Sequence, residues 1–269
     1  MASLLLRKGS QMQIRLEKYL ADSGFGTRSQ VKKLIRQGNV TVNRSPEKDG
    51  SRRVDTEEDE VVCGGKKVGY SEYEYYLLYK PAGIITASRD KNEKTVVDLI
   101  ESKKRRDLFP VGRLDRDTEG LLLITNDGKL SHELLAPGKH VDKDYIALVE
   151  GNIPEDAIKR FHEGVDIGDE EPTKPAKLIL YDKTEDAGDA RVNEKYPEIV
   201  EELSESGSEM KITAIRITLT EGRYHEIKRM FEAVGCKVVY LKRVSMGNLS
   251  LPEDMKVGEY IKIEKEEIG

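Results

Sequence analysis

The feature that most constrains the fold is a polar turn held between two apolar runs. In residues 109–128, FPVGRLDRDTEGLLLITNDG, Asp115 and Asp117 lie where one strand-like run ends and the next begins. A turn that apolar strands enter and leave holds its polar groups rigidly at the rim of a core. On spacing alone the simplest interpretation is structural, with Asp117 and Thr118 bonding nearby backbone amides.

The other patterns predict more strands than helices, in an irregular order. Helices are predicted at 14–23, 31–37, 95–102, 129–136, 154–164 (with Pro154 in its first turn) and 223–235. Strands are predicted at 39–43, 61–70 (a hairpin), 75–87 (two pieces around the turn 80–83), 142–151, 175–181, 211–219 and 237–251. This order predicts an α+β fold with a mainly antiparallel sheet flanked by helices, rather than a doubly wound sheet.

Charge is distributed unevenly along the chain. The whole sequence has a formal net charge of −5, but residues 185–209 alone hold nine acidic and two basic side chains. Residues 14–53, in contrast, hold ten basic and four acidic side chains. A local excess of cations is what a polyanion-binding surface needs. The acidic stretch, poor in large apolar residues, predicts a mobile surface insertion.

Composition also excludes several classes of protein. The two cysteines and four histidines are scattered, without the spacing of a zinc site or a disulfide framework. We therefore expect no metal and no cofactor, and chemistry that depends on carboxylates, hydroxyls and cations. No apolar run approaches the roughly 20 residues that span a bilayer. Since no export signal is recognisable either, we expect a cytoplasmic protein.

The basic N-terminal stretch resembles a known RNA-binding module. Residues 15–43, RLEKYLADSGFGTRSQVKKLIRQGNVTVN, are similar to the S4 domain, a small helix–helix–strand unit whose second helix lies along RNA. Thr27 or Ser29 can cap that helix. Its outward face carries four cations, Arg28, Lys32, Lys33 and Arg36. The resemblance implies that they contact RNA phosphates, although a basic stripe alone also suits a solvated helix face.

Four later segments resemble, in order, the ribosomal RNA pseudouridine synthases of the RsuA family. They are KPAGIITA (80–87), GRLDRDTEGLLLITNDG (112–128), the triplet at 143–145, and EGRYHEIKRMFEAVG (221–235) followed by LKRVSMG (241–247). With the S4-like segment, the resemblance spans residues 14 to about 250. It implies a cofactor-free isomerase that flips a uridine out of structured RNA and converts it to pseudouridine.

The particular residues in these motifs point to one branch of that family. An S4 domain followed by Tyr224-His225 in the last motif is most like the enzymes that modify 16S small-subunit RNA, at a position of the uridine 516 type. Large-subunit (23S) enzymes of the same family are the alternative. The resemblance further implies a monomer whose partner is ribosomal RNA, either free or in a small-subunit assembly intermediate.

The resemblance assigns catalytic roles to three residues. Asp115 is the essential carboxylate, which either attacks the flipped uridine or removes a ribose proton, and the sequence leaves both mechanisms open. Tyr145 stacks on the flipped base. A partly buried carboxylate needs a cation to stay ionised, so Lys228 is expected to pair with Asp115, with Arg229 as the alternative partner.

Other residues are expected to bind the substrate. Arg113 lies two residues before Asp115 and so points to the same side of an extended segment. By resemblance it fills the gap that the extruded base leaves, while Leu241 packs beneath the site and Arg229 contacts RNA. His225, without an evident partner carboxylate, is expected to pack or to contact RNA rather than to catalyse.

Two other functions fit part of the sequence. Residues 115–118, DRDT, match the D-x-D-x-T nucleophile motif of haloacid-dehalogenase-type phosphotransferases. That chemistry needs Mg²⁺ and an apolar strand running directly into the first aspartate, where this chain has Gly112-Arg113. A non-catalytic RNA-binding or ribosome-assembly protein would share the S4-like unit, but need not keep Asp115, Tyr145 and a basic residue at 228 together.

These interpretations divide the chain into successive parts. Residues 1–11 are interpreted as a leader, 12–70 as the S4-like RNA-binding domain, and 71–269 as the catalytic domain that contains the acidic insertion 185–209.

Overall fold

A computed structural model describes residues 12–101, 105–181 and 212–269. The predicted leader and the acidic insertion 185–209 therefore lie outside the described residues. The chain divides into two units: one extends to Glu74 and includes Glu101–Leu108, and the other consists of Tyr75–Ile100 and Phe109–Gly269. The predicted boundary after residue 70 lies near the first of these divisions. Nothing in the sequence indicates that residues 101–108 belong to the first unit.

The described part of the first unit contains two short helices and six short strands. Its elements are β1 (Gln13–Arg15), α1 (Leu16–Asp22), α2 (Arg28–Arg36), β2 (Val40–Val42), β3 (Ser45–Pro46), β4 (Arg53–Asp55), β5 (Val61–Cys63) and β6 (Lys66–Val68). The predicted helix at 14–23 is wrong at its start, because 13–15 pairs as an antiparallel strand with β4. The predicted hairpin at 61–70 is confirmed, since β5 and β6 pair across Gly64-Gly65.

Helix α2 presents one apolar and one basic face. Thr27 caps it, and its hydroxyl and the Gln30 side chain complete a reciprocal capping box. Val31 and Ile35 are buried in the core of the unit together with Leu16, Leu20 and other apolar side chains. The four cations on the opposite face are exposed: Arg28, Lys32, Lys33 and Arg36.

The second unit is built on one mixed sheet of nine strands. Its strands are β7 (Tyr75–Lys80), β8 (Phe109–Pro110), β9 (Glu119–Thr125), β10 (Lys143–Glu150), β11 (Lys177–Leu180), β12 (Ile212–Leu219), β13 (Lys237–Met246), β14 (Leu249–Ser250) and β15 (Tyr260–Ile263). The order is β11-β12-β10-β13-β9-β7-β15, with β14 beside β13 and β8 beside β9. Every pair is antiparallel except β9 with β13, which confirms the predicted α+β fold.

Among the described residues, three α-helices accompany this sheet: α3 (Gly128–Leu135), α4 (Ala157–Glu163) and α5 (Glu226–Glu232). The helix predicted at 95–102 is instead a single 3₁₀ turn, Val96–Leu99. Pro154 precedes α4 rather than lying in its first turn, because the helix begins at Ala157. Residues 84–87 contribute one isolated bridge, Ile85 to Thr95, and not the second strand that was predicted.

In the second unit the sequence analysis missed strand β15, as it missed β1, β3 and β4 in the first. Strand β15 pairs with β7 over its full length, but its outward residues, including Ile261, are exposed. The alternation of apolar and polar residues by which a strand is predicted is therefore weak in β15. None of the helices in the described part of the chain is long and apolar enough to cross a bilayer.

The parallel contact between β9 and β13 lies next to the polar turn. Gly120 has φ +105°, and a Cβ there would collide with the Arg243 carbonyl, so only glycine allows the two backbones this close approach. Just beyond, Tyr145 of β10 pairs with Arg243 and Asp144 pairs with Ser245. Val244 is thus the extra residue of a β-bulge, a feature that commonly re-aims side chains beside functional sites.

Candidate active site

A cleft of about 940 Å³ opens in the second unit between the polar turn, the sheet and the start of α5. Its walls include five of the predicted site residues: Asp115, Tyr145, Lys228, Arg113 and Leu241. They come from the turn before β9, from β10, from α5 and from β13. A cleft of this size lies within the range of small-ligand sites. The structure thus brings together side chains that are up to 128 positions apart in the sequence.

Asp115 and Lys228 form an ion pair in this cleft. The Lys228 Nζ lies 3.3 Å from Asp115 Oδ2 and donates to both carboxylate oxygens of Asp117, at 2.6 and 2.8 Å. Besides the local backbone hydrogen bond that was expected, the Asp117 carboxylate turns towards α5 and binds Lys228. Lys228 therefore serves two carboxylates, of which Asp117 is the more exposed.

The electrostatics of this cluster favour its charged form. Burial alone would raise the pKa of Asp117, but its hydrogen bonds and charge interaction with Lys228 outweigh burial and lower it. Burial alone would likewise lower the pKa of Lys228, but the Asp117 hydrogen bond and the Asp115 charge raise it. Lys228 is consequently a firmly protonated cation at neutral pH.

His225 has a partner that the sequence did not reveal. Its Nε2 lies 3.6 Å from Asp115 Oδ1, so the histidine does have a neighbouring carboxylate, contrary to the expectation. It occupies the N-cap of α5 in a left-handed conformation, with φ +49°. Tyr224 stacks on its ring, with centroids 3.9 Å apart, and is itself 70% exposed. Both rings line the cleft.

Lys80 supports the polar turn from beneath. This lysine, in the KPAG segment at the end of β7, is fully buried. Its Nζ donates to the carbonyl oxygens of Pro81, Arg116 and Thr118 at 2.9–3.1 Å, which uses all three of its donors. Burial lowers its pKa to about 8, although the charges of Asp117 and Glu119 oppose the shift.

A second contact from the same segment holds the other side of the turn. The Thr86 hydroxyl donates to the Leu114 carbonyl at 2.6 Å, and the Gly83 amide donates to the Arg116 carbonyl. Residues 80–86 therefore fix the backbone on both sides of Asp115. The sequence analysis had quoted this segment without giving its residues a role.

The floor of the cleft is formed by one face of β10 and β13. Tyr145 and Arg243 are paired across these strands, as are Ala147 and Leu241. Directly paired residues share a face of a sheet, and Tyr145, Leu241 and Arg243 all line the cleft. Each of the three is at most 9% exposed. Arg243 is a functional candidate that the sequence analysis did not single out.

The other predicted residues are distributed more widely. Arg113 is exposed and lines the cleft. Arg229 does not pair with Asp115: its guanidinium donates to Asp169 and to the Ile167 carbonyl. The alternative partner for Asp115 is therefore ruled out. The four cations of α2 belong to the first unit.

An acidic pair lies at the edge of the cleft. Glu221 accepts hydrogen bonds from the Lys174 amide and from Arg223, and these bonds outweigh burial and lower its pKa. Glu226 is 5% exposed, and its burial together with the neighbouring Glu221 charge raises its pKa to about 7. The two carboxyls lie within hydrogen-bonding reach, so Glu226 holds the proton.

The fold that carries this cleft, with an S4-like unit before it, belongs to the class of RNA pseudouridine synthases, as comparison with known proteins shows. The chain belongs to the RNA pseudouridylate synthase family, whose model matches residues 74–233. The S4 domain model matches residues 14–61. This is an isomerase, and both predicted domain types are confirmed.

Relatives cover almost the whole chain. An uncharacterized RNA pseudouridine synthase of Bacillus subtilis is 41% identical, over 95% of this chain and 97% of its own length. The ribosomal small subunit pseudouridine synthase A of Pasteurella multocida is 35% identical, over 95% and 98%. The ribosomal large subunit pseudouridine synthase B of Bacillus subtilis is also 35% identical, over 88% and 87%.

One solved structure resembles this chain over nearly its full length. It is a crystal structure of a pseudouridylate synthase, with 33% sequence identity and a TM-score of 0.59, and the match covers 95% of this chain and 98% of that one.

Proposed function

We propose that this protein isomerises one uridine of 16S ribosomal RNA, at a position of the uridine 516 type, with Asp115 as the catalytic residue. The observation that supports this most directly is the Asp115 carboxylate in the cleft, 3.3 Å from the Lys228 ammonium. The small-subunit relative matches 95% of the chain and the large-subunit relative 88%, at equal identity.

The reaction needs no external reagent. The N1–C1′ glycosidic bond breaks and a C5–C1′ bond forms, while C5 loses a proton and N1 gains one, so substrate and product are isomers. Asp115 acts either as a nucleophile towards the flipped nucleotide or as the base that takes a ribose proton. Lys228 forms an ion pair with that carboxylate and holds it in position.

The remaining cleft residues hold the flipped nucleotide. Tyr145 provides a flat ring on which a uracil can stack, and Leu241 packs beneath the site. Arg113, exposed at the cleft, takes the place that the extruded base leaves in the RNA. The α2 cations Lys32 and Lys33, with their neighbours Arg28 and Arg36, bind phosphates and anchor the RNA. Arg229 contributes to the RNA-facing surface through the Asp169 loop.

The experiment that tests this function is a map of pseudouridine in 16S and 23S RNA. Cells with the protein, without it, and with only its Asp115→Asn variant are compared. We expect one 16S pseudouridine to be missing in the second and third strains. Loss of a 23S site instead would assign the protein to the large subunit, and unchanged ribosomal RNA would refute the proposal.

Three subsidiary proposals accompany this function. The protein acts as a monomer, in the cytoplasm, and its substrate is either free 16S RNA or a small-subunit assembly intermediate. Mass measurement by light scattering checks the first. Parallel assays on purified 16S RNA and on reconstituted small-subunit particles decide which substrate is modified faster.

A further inference from the structure

Three buried polar atoms that line the cleft have no hydrogen-bond partner among the described residues: Thr118 Oγ1, Glu226 Oε1 and Arg243 Nη2. Glu226 is buried beside the Glu221 charge, and both raise its pKa to about 7, so it brings no permanent charge into the interior. Thr118 is a neutral hydroxyl in the turn. Arg243 is different, because it brings a permanent positive charge into the interior.

The protein around Arg243 supplies hydrogen-bond acceptors for only part of its guanidinium group. The side chain is only 2% exposed, and its Nε donates to the Leu121 carbonyl at 2.8 Å. No ion pair of Arg243 with a carboxylate occurs within the part of the chain that the structure describes. An unpaired donor on a buried charge costs free energy comparable to that of a missing charged hydrogen bond. Such a cost is tolerable where a ligand supplies the missing acceptor.

The neighbours of Arg243 show what kind of acceptor fits. Tyr145 lies directly across from it on β10, and Leu241 lies two residues away on the same face of β13. A flat ring and an apolar side chain suit a nucleobase better than a phosphate. Lys143, also buried in this cleft, has a pKa that burial and the nearby Arg243 charge both lower. The two cations Lys143 and Arg243 therefore make the edge of the cleft floor electropositive.

We propose that Arg243 recognises the flipped base, by donating a hydrogen bond from Nη2 to a carbonyl oxygen of uracil. This inference rests on the proposed function, since it takes uridine as the substrate. A base stacked on Tyr145 presents its edge, with the acceptors O2 and O4, to the residue next to Tyr145 in the sheet. The β-bulge at Val244 sets the direction in which that residue points. Arg243 is thus a specificity-determining residue, distinct from the Asp115–Lys228 pair.

The test compares two small probes on the full chain, uridine 5′-monophosphate and ribose 5-phosphate, which share the sugar phosphate and differ in the base. Affinities are measured by NMR titration at millimolar concentration. The wild type should bind the nucleotide more tightly than the sugar phosphate. Arg243→Met should weaken nucleotide binding about tenfold, the scale of one charged hydrogen bond, and leave sugar phosphate binding unchanged. Arg243→Lys should weaken it less.

Each other outcome overturns the inference. Equal weakening of both probes would mean that Arg243 binds the phosphate, and no preference of the wild type for the nucleotide would mean that the floor does not recognise a base. Lys237→Met, an exposed cation of the same strand, is the matched control. If Arg243→Met fails to fold, the same two affinities are measured on Arg243→Lys and Arg243→Gln. The lysine keeps the charge, whereas the glutamine keeps an amide donor and lacks the charge. Pseudouridine formation by the wild type is assayed separately, so failure of the proposed function is recognised independently.

Discussion

The cations of helix α2 in the first unit and three cations of the second unit are held in opposite ways. Helix α2 of the first unit exposes four cations to solvent, of which Lys32 pairs loosely with Glu17 at 3.4 Å. In the second unit, three cations beside the cleft or beneath its polar turn are instead enclosed. Lys80 donates to three carbonyl oxygens, Lys228 to two carboxylates, and Arg243 to the Leu121 carbonyl, and none of the three is more than slightly exposed.

The contrast separates two kinds of electrostatic work. The number of exposed cations determines how strongly RNA is bound, because salt screens each cation and one phosphate can replace another. Enclosed cations act by position, since fixed charges in a poorly hydrated site interact strongly without reorganising. Substitutions in the second unit should therefore change catalysis one residue at a time, and substitutions in the first should change binding in proportion to the charge removed.

The largest effect is expected from Asp115→Asn. Asparagine keeps the shape of the side chain but cannot act as nucleophile or base, so activity should fall below about one per cent of wild type. Folding and RNA affinity should be nearly unchanged. Turnover is measured as pseudouridine formed on 16S RNA, and affinity by filter binding.

Asp117→Asn is the matched control for this substitution. It removes the other carboxylate that Lys228 contacts, yet it should retain at least about a tenth of the activity, because Asp117 positions the lysine and does not touch the substrate. If both variants were equally inactive, the catalytic assignment could not rest on Asp115 alone.

Lys228→Met should reduce activity about 100-fold, the scale seen when one fixed charge-stabilising group is removed. Lys228 lowers the pKa of Asp117, so its removal lets Asp117 take up a proton at a higher pH than before. Asp117 does not touch the substrate, so this protonation should change the rate little, and the loss of activity should be similar at acidic and neutral pH. A pH–rate profile of both proteins measures this.

Two comparisons sharpen the result. Lys228→Arg keeps the charge and should retain more activity than the methionine variant, with a decrease from the changed geometry. Lys159→Met, which removes an exposed helical lysine elsewhere in the same unit, should have no effect. A Lys228→Met variant with nearly wild-type activity would show that the lysine takes no part in the reaction.

Neutralising the four α2 cations with glutamine should weaken RNA binding and leave the maximal rate unchanged. The slope of log K against log salt should become shallower by about 0.7 to 0.9 for each phosphate that the variant no longer neutralises. Titrations at several salt concentrations measure the slope. Lys66→Gln with Lys67→Gln, exposed residues of the same unit, are the control. An unchanged slope in the α2 variant would mean that this helix is not the anchor.

The smallest effect concerns stability and Glu226→Gln. The folded protein raises the pKa of Glu226 from 4.5 to about 7. A raised pKa stabilises the folded state fully below pH 4.5, and that contribution is lost as the pH rises through about 7. Glutamine stays neutral, so the variant should match the wild type in acid. About one pH unit above the folded-state pKa it should unfold at a higher denaturant concentration than the wild type.

The control for this prediction is Glu232→Gln, an exposed residue of the same helix. It should leave the pH dependence of unfolding unchanged. A Glu226→Gln variant with the same dependence as wild type would show that the buried carboxyl ionises freely in the folded protein.

The sequence predicted the elements whose periods are strong. Strand β10 alternates clearly, and α2 has one apolar and one basic face, so both were located to within a few residues. The family motifs predicted that Asp115, Tyr145, Lys228 and Leu241 belong to one site, and in the structure all four line one cleft. Their roles remain predictions until the variants are assayed.

What the sequence could not predict depends on tertiary contacts. A lysine before proline and glycine suggests an exposed turn, and only the folded chain shows Lys80 with three buried acceptors. His225 meets Asp115 although 110 positions separate them. For the adjacent cations Lys242 and Arg243, the face that each occupies depends on strand register, and the bulge at Val244 makes that register irregular.

Strand β15 links the completion of the catalytic turn to the order in which the chain is synthesised. Residues 260–263 cover the outer edge of β7, and β7 ends in the lysine that holds the turn. The RNA-binding unit is almost entirely encoded before residue 75, and domains generally fold in order as they emerge during translation. A growing chain is therefore expected to complete its S4 unit well before the sheet beneath Asp115. For that interval the nascent protein would carry the proposed RNA-binding surface without a finished active site.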